Sequence, residues 1–225
     1  MKARFFTPHI GSKYREGING KKILVLGASF YCPKQECPYF FKCTDVNIKD
    51  SSEYNLICPE YCHQGLILQD EPSYCIEDGP RTYRTFANKM NEALFDGELD
   101  YENFWEHFAF TNYVQFFLPA KKGSFRQTHW SDLSDRDFDA FIETLKEIKP
   151  DIVIIWGTII NGALKEHNKY VTDRETLSKT GGYICHMTIP GTNHETALIN
   201  PYHPSSSAWH SCFNDFEKYL KELLM

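Results

Sequence analysis

A three-layer α/β/α fold around a central, mainly parallel sheet is predicted for this chain by three features of its sequence. Apolar runs at Ile23–Leu26 and Ile152–Ile155 lack the alternation of a half-exposed strand and lead into glycine, which suits strands buried on both faces. Segments with helical spacing of apolar residues lie between the strand-like runs, the alternation that builds parallel βαβ units. The 225 residues are 42% hydrophobic and 15% aromatic, enough for one sizeable core and a single domain over 1–225.

Lys21 to Gly27 reads as the first buried strand. From about 28 to 80 the sequence is rich in Cys, Pro, Asp and Ser without a sustained period. It reads as a long decorated loop, a cysteine-rich insertion at about 30–80. Arg84 to Phe95 resumes a helical pattern with Phe86, Met90 and Leu94 four apart, and Tyr101 to His107 suits a second, short helix. Phe108 to Val114 reads as a strand, and the apolar stretch after it stops at Pro119. Ser134 and Asp137 form a capping-box pattern before a helix with Phe138, Phe141, Ile142, Leu145 and Ile148 on one face. That helix stops ahead of Pro150. Asp151 to Gly157 is the clearest buried strand, and a helix over Ile159 to Glu166 comes next. Strands at Tyr183 to Ile189 and Thr196 to Ile199 flank the turn Pro190-Gly191-Thr192-Asn193. A closing helix from Ser207 to Leu224 turns Trp209, Phe213, Phe216, Leu220 and Leu223 inward. No internal repeat is visible.

With 24 basic and 30 acidic side chains the formal charge is −6, which does not advertise the basic face of a phosphate-tracking protein. Lys121, Lys122 and Arg126 nevertheless crowd one short segment. No run approaches the roughly 18 consecutive apolar residues of a membrane span. The first residues, MKARFFTPHIGSKYREGINGKK, lack the apolar centre of a secretory signal. A cytoplasmic monomer with no membrane contact is therefore expected.

Eight cysteines in such a chain point to metal or free thiols rather than a disulfide framework. Cys32, Cys37, Cys43, Cys58, Cys62 and Cys75 fall together with the spacings C-x4-C-x5-C and C-x3-C-x12-C. Two uses stay open for them, a bound zinc or iron–sulfur cluster, or reduced thiols in an irregular insertion. The C-x2-C pair typical of zinc sites is absent.

Ligands of open α/β sheets bind outside the carboxyl ends of the strands. Gly27-Ala28-Ser29, Asn112 and His203 all lie at or just past expected strand ends, so three separate segments deliver small or polar groups to one edge. The last of them, LINPYHPS, holds its imidazole between a tyrosine and a proline. Gly27 is not followed by the G-x-G-x-x-G pattern, which speaks against dinucleotide-dependent redox chemistry.

Four motifs in order carry a resemblance to the uracil-DNA glycosylase superfamily. They are ILVLGASFY, FTNYVQFFLP, IKPDIVIIWGTIINGAL and NPYHPSSSAW, with the cysteine segment as an insertion after the first. The resemblance implies a uracil-DNA glycosylase-like fold and hydrolysis of the N-glycosidic bond of a flipped uracil or related deaminated base, with no organic cofactor required. It implies that His203 stabilises the departing base, with Ser29 at the water-activating position. Asn112 would read the base edge, since one amide offers both a donor and an acceptor. Gly27, Ala28, Phe30, Tyr31 and Phe86 are candidates to line or stack on the base, and Ser205, Ser206 and Ser207 to hold a DNA phosphate. The partner would be double- or single-stranded DNA, a nucleotide or a free base.

Two departures from the family pattern bear on activity. Ser29 stands where the best-known members carry an acid or amide, and a hydroxyl is not a base near neutral pH. The iron–sulfur branch places its cysteines at positions that this chain does not match. A catalytically inactive nucleotide- or nucleic-acid-binding module of the same fold is the alternative. In that case His203 and Asn112 fix a turn and a loop.

Overall fold

A computed structural model describes residues 4–32, 69–119, 128–166, 171–176 and 183–225. In chain order the strands are β1 (His9–Ile10), β2 (Ile23–Gly27), β3 (Phe30–Cys32), β4 (Phe108–Asn112), β5 (Phe117–Pro119), β6 (Ile152–Ile155), β7 (Val171–Thr176), β8 (Tyr183–Thr188) and β9 (Glu195–Asn200). The helices are α1 (Glu71–Asp78), α2 (Arg81–Phe95), α3 (Tyr101–Trp105), α4 (Asp135–Ile148), α5 (Ile159–Glu166) and α6 (Ser207–Leu223), with a 3-10 turn at Trp130–Asp132.

Seven strands form one sheet in the order β1-β4-β2-β6-β9-β8-β7. β4, β2, β6 and β9 run parallel, whereas β1, β8 and β7 add antiparallel edges. β3 and β5 pair separately. The strands nearest the centre are apolar on both faces because both faces are covered: β2, β4 and β6 are buried at every position.

The chain steps from β2 to β4 in one direction and from β4 to β6 in the other. Right-handed crossovers therefore set α2 and α4 on opposite faces, with α5 on the side of α4. On the α2 face Phe86 is wholly buried. Its ring stacks on Trp105 at 5.7 Å and meets Trp156 at 5.0 Å and Trp209 at 5.9 Å. Thus α2, α3 and α6 share one aromatic core.

The region read as one long loop carries structure at both ends. β3 opens it, and α1 closes it with Pro72 in the first turn and Gly79 in the left-handed conformation at its end. Helix α2 begins at Arg81, after Pro80 and three residues ahead of the spacing signal. The sheet is more mixed than a run of βαβ units, because the Pro190–Asn193 turn joins β8 to β9 as a hairpin and β7 adds a further antiparallel edge. Among the described residues no helix is long and apolar enough to cross a membrane.

Phe86→Ala should cost about 3–5 kcal/mol in chemical denaturation, since it removes the ring that α2, α3, α6 and Trp156 share.

Candidate functional site

Gly27 and Asn112 are register partners at the carboxyl ends of β2 and β4. Residues two apart on a strand share a face, so Asn112 lies on the face of Phe110, whose ring meets that of Trp156 at 5.4 Å. Trp156 follows Ile155, the partner of Leu26, and so stands level with Gly27. Between the carboxamide and the indole is thus a position without a side chain. Asn112 uses it: a Cβ on Gly27 would lie 2.0 Å from the Asn112 Oδ1. Asn112 is 4% exposed, yet its carboxamide has no hydrogen-bond partner among the described residues.

The backbone around Asn112 is, in contrast, fully tied. The Tyr113 amide donates to the Gly27 carbonyl at 2.9 Å and the Val114 amide to Ala28 at 3.0 Å. Gln115 Nε2 donates to the Asn112 carbonyl at 2.8 Å, while its Oε1 accepts from the amides of Phe5 and Phe6. The Gln115 amide donates to Asp137 Oδ1 at 2.8 Å, and Asp137 Oδ2 accepts from the amide and hydroxyl of Ser134. The carboxylate that starts α4 therefore also holds the Asn112 loop.

His203 reaches the same edge from β9. Asn200, wholly buried, donates through Nδ2 to the Gly157 carbonyl at 2.8 Å and to Asn161 Oδ1 at 2.6 Å. Its Oδ1 accepts from the Tyr202 amide at 2.8 Å, and Tyr202 takes a left-handed φ of 71°. The imidazole then stands edge-on to Trp156, with ring centroids 6.1 Å apart. Its Nδ1 faces the Ser205 hydroxyl at 2.7 Å and accepts from the Ser205 amide at 3.3 Å. A nitrogen that accepts from an amide carries no proton, so in the neutral ring the proton sits on Nε2. Nε2 has no partner among the described residues. Burial holds the His203 pKa below its usual value, which keeps the ring neutral at pH 7. The edge thus offers one neutral donor and one carboxamide without a partner among the described residues.

Ser29 lies just beyond β2, and its hydroxyl pairs with the Thr128 hydroxyl at 2.7 Å, with the Tyr31 hydroxyl 3.4 Å from the same oxygen. Ala28, Ser29 and Tyr31 are half-buried at this rim. Phe30 and Phe86, candidates for stacking on a base, are core residues. Phe30 is 5% exposed and packed edge-on against Phe6 and Phe110, and Phe86 has no free face.

Two of the three serines named for a phosphate have partners within the loop. Ser205 serves the His203 ring. Ser206 caps α6, its hydroxyl accepting from the Trp209 amide at 3.2 Å and donating to the His203 carbonyl at 2.8 Å, which leaves no hydroxyl proton for a phosphate. Ser207 is exposed. Lys121, Lys122 and Arg126, with Cys37, Cys43, Cys58 and Cys62, lie outside the described residues. Of the cysteine cluster, Cys32 and Cys75 are half-buried. Cys75 Sγ points at Glu71 Oε1, 3.6 Å away, and burial together with that carboxylate pushes its pKa up. This opposes the thiolate form that ligates metal. Among the described residues no three metal-binding side chains converge.

Sequence reasoning passed over Asn200, Gln115, Thr128 and Trp156. Only Trp156 carried a signal, as the large residue closing an apolar strand at the edge where ligands bind. No family model matches the chain, and no curated protein is significantly similar to it. Chemically, the edge presents uncharged hydrogen-bonding groups at His203, Asn112 and Ser29.

Two measurements test this geometry. Imidazole nitrogen NMR should find His203 protonated on Nε2 at pH 7, with a midpoint below the ordinary 6.5. The lowered folded pKa makes its contribution to stability complete above 6.5 and lost as pH falls from there through the folded midpoint. Gly27→Ala should destabilise by about 1–3 kcal/mol through overpacking. Adding Asn112→Ala should recover most of that loss in a double-mutant cycle, because the crowded atom is the amide oxygen.

Proposed function

We propose that this chain is a DNA glycosylase of the uracil-DNA glycosylase kind, hydrolysing the N-glycosidic bond of a flipped uracil or a related deaminated base. One observation carries the reading. A proton-bearing His203 Nε2 and a buried Asn112 carboxamide, neither with a partner among the described residues, lie at the carboxyl edge of one parallel sheet.

In the reaction the bond from the sugar C1′ to the base nitrogen breaks and the base keeps the electron pair. Water supplies the hydroxyl to C1′, and its remaining proton ends on the departing base. The Nε2–H of His203 would meet the negative charge that develops on a ring oxygen, a preorganised contribution on the order of 10² to 10³ in rate. Asn112 would read the base edge, Tyr31 would line the rim, and the paired hydroxyls of Ser29 and Thr128 would position the water. DNA, in the cytoplasm, is the proposed partner. A zinc or iron–sulfur group on the cysteine segment is a separate proposal, to which the half-buried Cys75 thiol, with its raised pKa, is poorly suited.

A second reading, an inactive base- or nucleotide-binding module, is favoured by one observation. Ser29 is already paired to Thr128, and neither hydroxyl is a base near neutrality. Incubation with single- and double-stranded oligonucleotides carrying uracil, hypoxanthine or xanthine separates the two. Abasic sites should form, His203→Ala should lower the rate roughly 10²- to 10³-fold, and Asn112→Ala should lower it as well. No product from any lesion, with the variants folded and free base still bound, would replace the enzyme with the binding module. Metal analysis of the purified protein decides the cysteine question independently.

A further inference from the structure

Trp130 is 54% exposed, whereas the other three tryptophans, Trp105, Trp156 and Trp209, are 1%, 2% and 0% exposed. Its position is built rather than incidental. The ring lies on the backbone of α5 at Gly162, where an added Cβ would fall 1.4 Å from Cη2. Below it, the 3-10 turn is closed by Asp132, 1% exposed, whose Oδ2 accepts from the His129 amide at 2.7 Å. Two residues before the tryptophan, Thr128 is bonded to Ser29. One residue before Gly162, Asn161 accepts from the Asn200 that orients the His203 loop.

Thr128 to Trp130 therefore spans from the β2 loop to α5, over the point between β2 and β6 where the sheet order reverses. This is the rim of the crevice in which such sheets bind ligands. Trp130 thus keeps about half of its surface open at this rim while the tip of its ring rests on a glycine.

The geometry points to Trp130 as a stacking platform for a nucleobase of single-stranded nucleic acid, next to the base that enters the His203–Asn112 cleft. This rests on the base-binding reading of that cleft, not on catalysis. Stacking suits this rim better than phosphate binding, because the chain carries a formal charge of −6 and Ser205 and Ser206 are engaged elsewhere. Every base has a π-face, so the contact would hold a strand without reading its sequence.

Because the other indoles are buried, iodide-accessible emission reports Trp130. Titrating the full chain with lesion-free oligothymidylate should quench that emission to saturation. Trp130→Ala should abolish the quench and weaken binding roughly 5- to 100-fold, the range a base–aromatic stack supplies, while Trp130→Phe keeps part of the affinity. Gly162→Ala gives an independent arm. Alanine is the better helix former, so weakened binding with α5 intact by circular dichroism would come from the displaced ring.

Oligothymidylate binding that is absent in the wild type, or unchanged in Trp130→Ala, overturns the inference. If lesion-bearing strands yield abasic sites at the wild-type rate and affinity in Trp130→Ala, the inference fails while base excision stands. Quenching lost in Trp130→Ala with no product from any lesion leaves the inference standing and makes the cleft a binding module.

Discussion

The parallel register of β4, β2 and β6 sets Gly27 against Asn112 and brings Trp156 level with both. Everything at the edge depends on that alignment. Side chains alternate along a strand, so a slip of one residue in β4 would send Asn112 to the α4 face and bring Thr111 or Tyr113 to the gap. The register is held from both directions. Upstream, fully buried apolar residues of three strands lock against helices on both faces. Downstream, the Tyr113 and Val114 amides continue the ladder onto Gly27 and Ala28. The glycine makes the alignment useful, because only a position without Cβ lets the carboxamide lie flat across the strand end.

Around this row, polar groups divide into saturated and unsaturated. Asn200 and Gln115, 0% and 4% exposed, engage both ends of their side-chain amides with neighbouring loops. They act as cross-ties between chain segments far apart in sequence. Asn112, equally buried as a residue, engages neither end among the described residues. Buried polar atoms without a partner also occur away from this edge, as at Thr196 Oγ1 and Trp209 Nε1. What distinguishes Asn112 is its position at the carboxyl end of β4, the end of the strands at which open α/β sheets bind ligands.

Much of the frame was legible in the residues. Ile23–Gly27, Ile152–Ile155, α5 and α6 fall where apolar runs and helical spacing put them, and Ser134 with Asp137 starts α4. The strand ends then located Asn112 and His203 on one edge, since position along a strand follows from pattern. Other features were not legible because they depend on contacts across the fold. Phe30 and Phe86 look the same in sequence whether a ring packs in a core or faces a ligand; their neighbours decide. The second role of Asp137, holding the Gln115 amide, has no local signature at a separation of 22 residues. α1 is different, for Pro72 and Gly79 frame it in the sequence, and the surrounding cysteines and prolines obscured an ordinary helix.

Ser29 is where the proposed chemistry and the observed geometry press hardest on each other. A general base is worth roughly 10² to 10⁴ in rate, and a hydroxyl paired to another hydroxyl supplies none of it. The donor that meets the leaving base is worth about as much, and that donor is the best-prepared group at the edge. Its tautomer is set by the Ser205 amide, its ring is braced by Trp156, and burial keeps it uncharged. A reaction whose bond breaks well before water attacks places its demand on the leaving group and little on the nucleophile. On the proposed reading, such a site would favour bases that leave readily, and the hydroxyl pair at Ser29 would have only to keep a water in place. The same site presented with a poor leaving group would simply hold it.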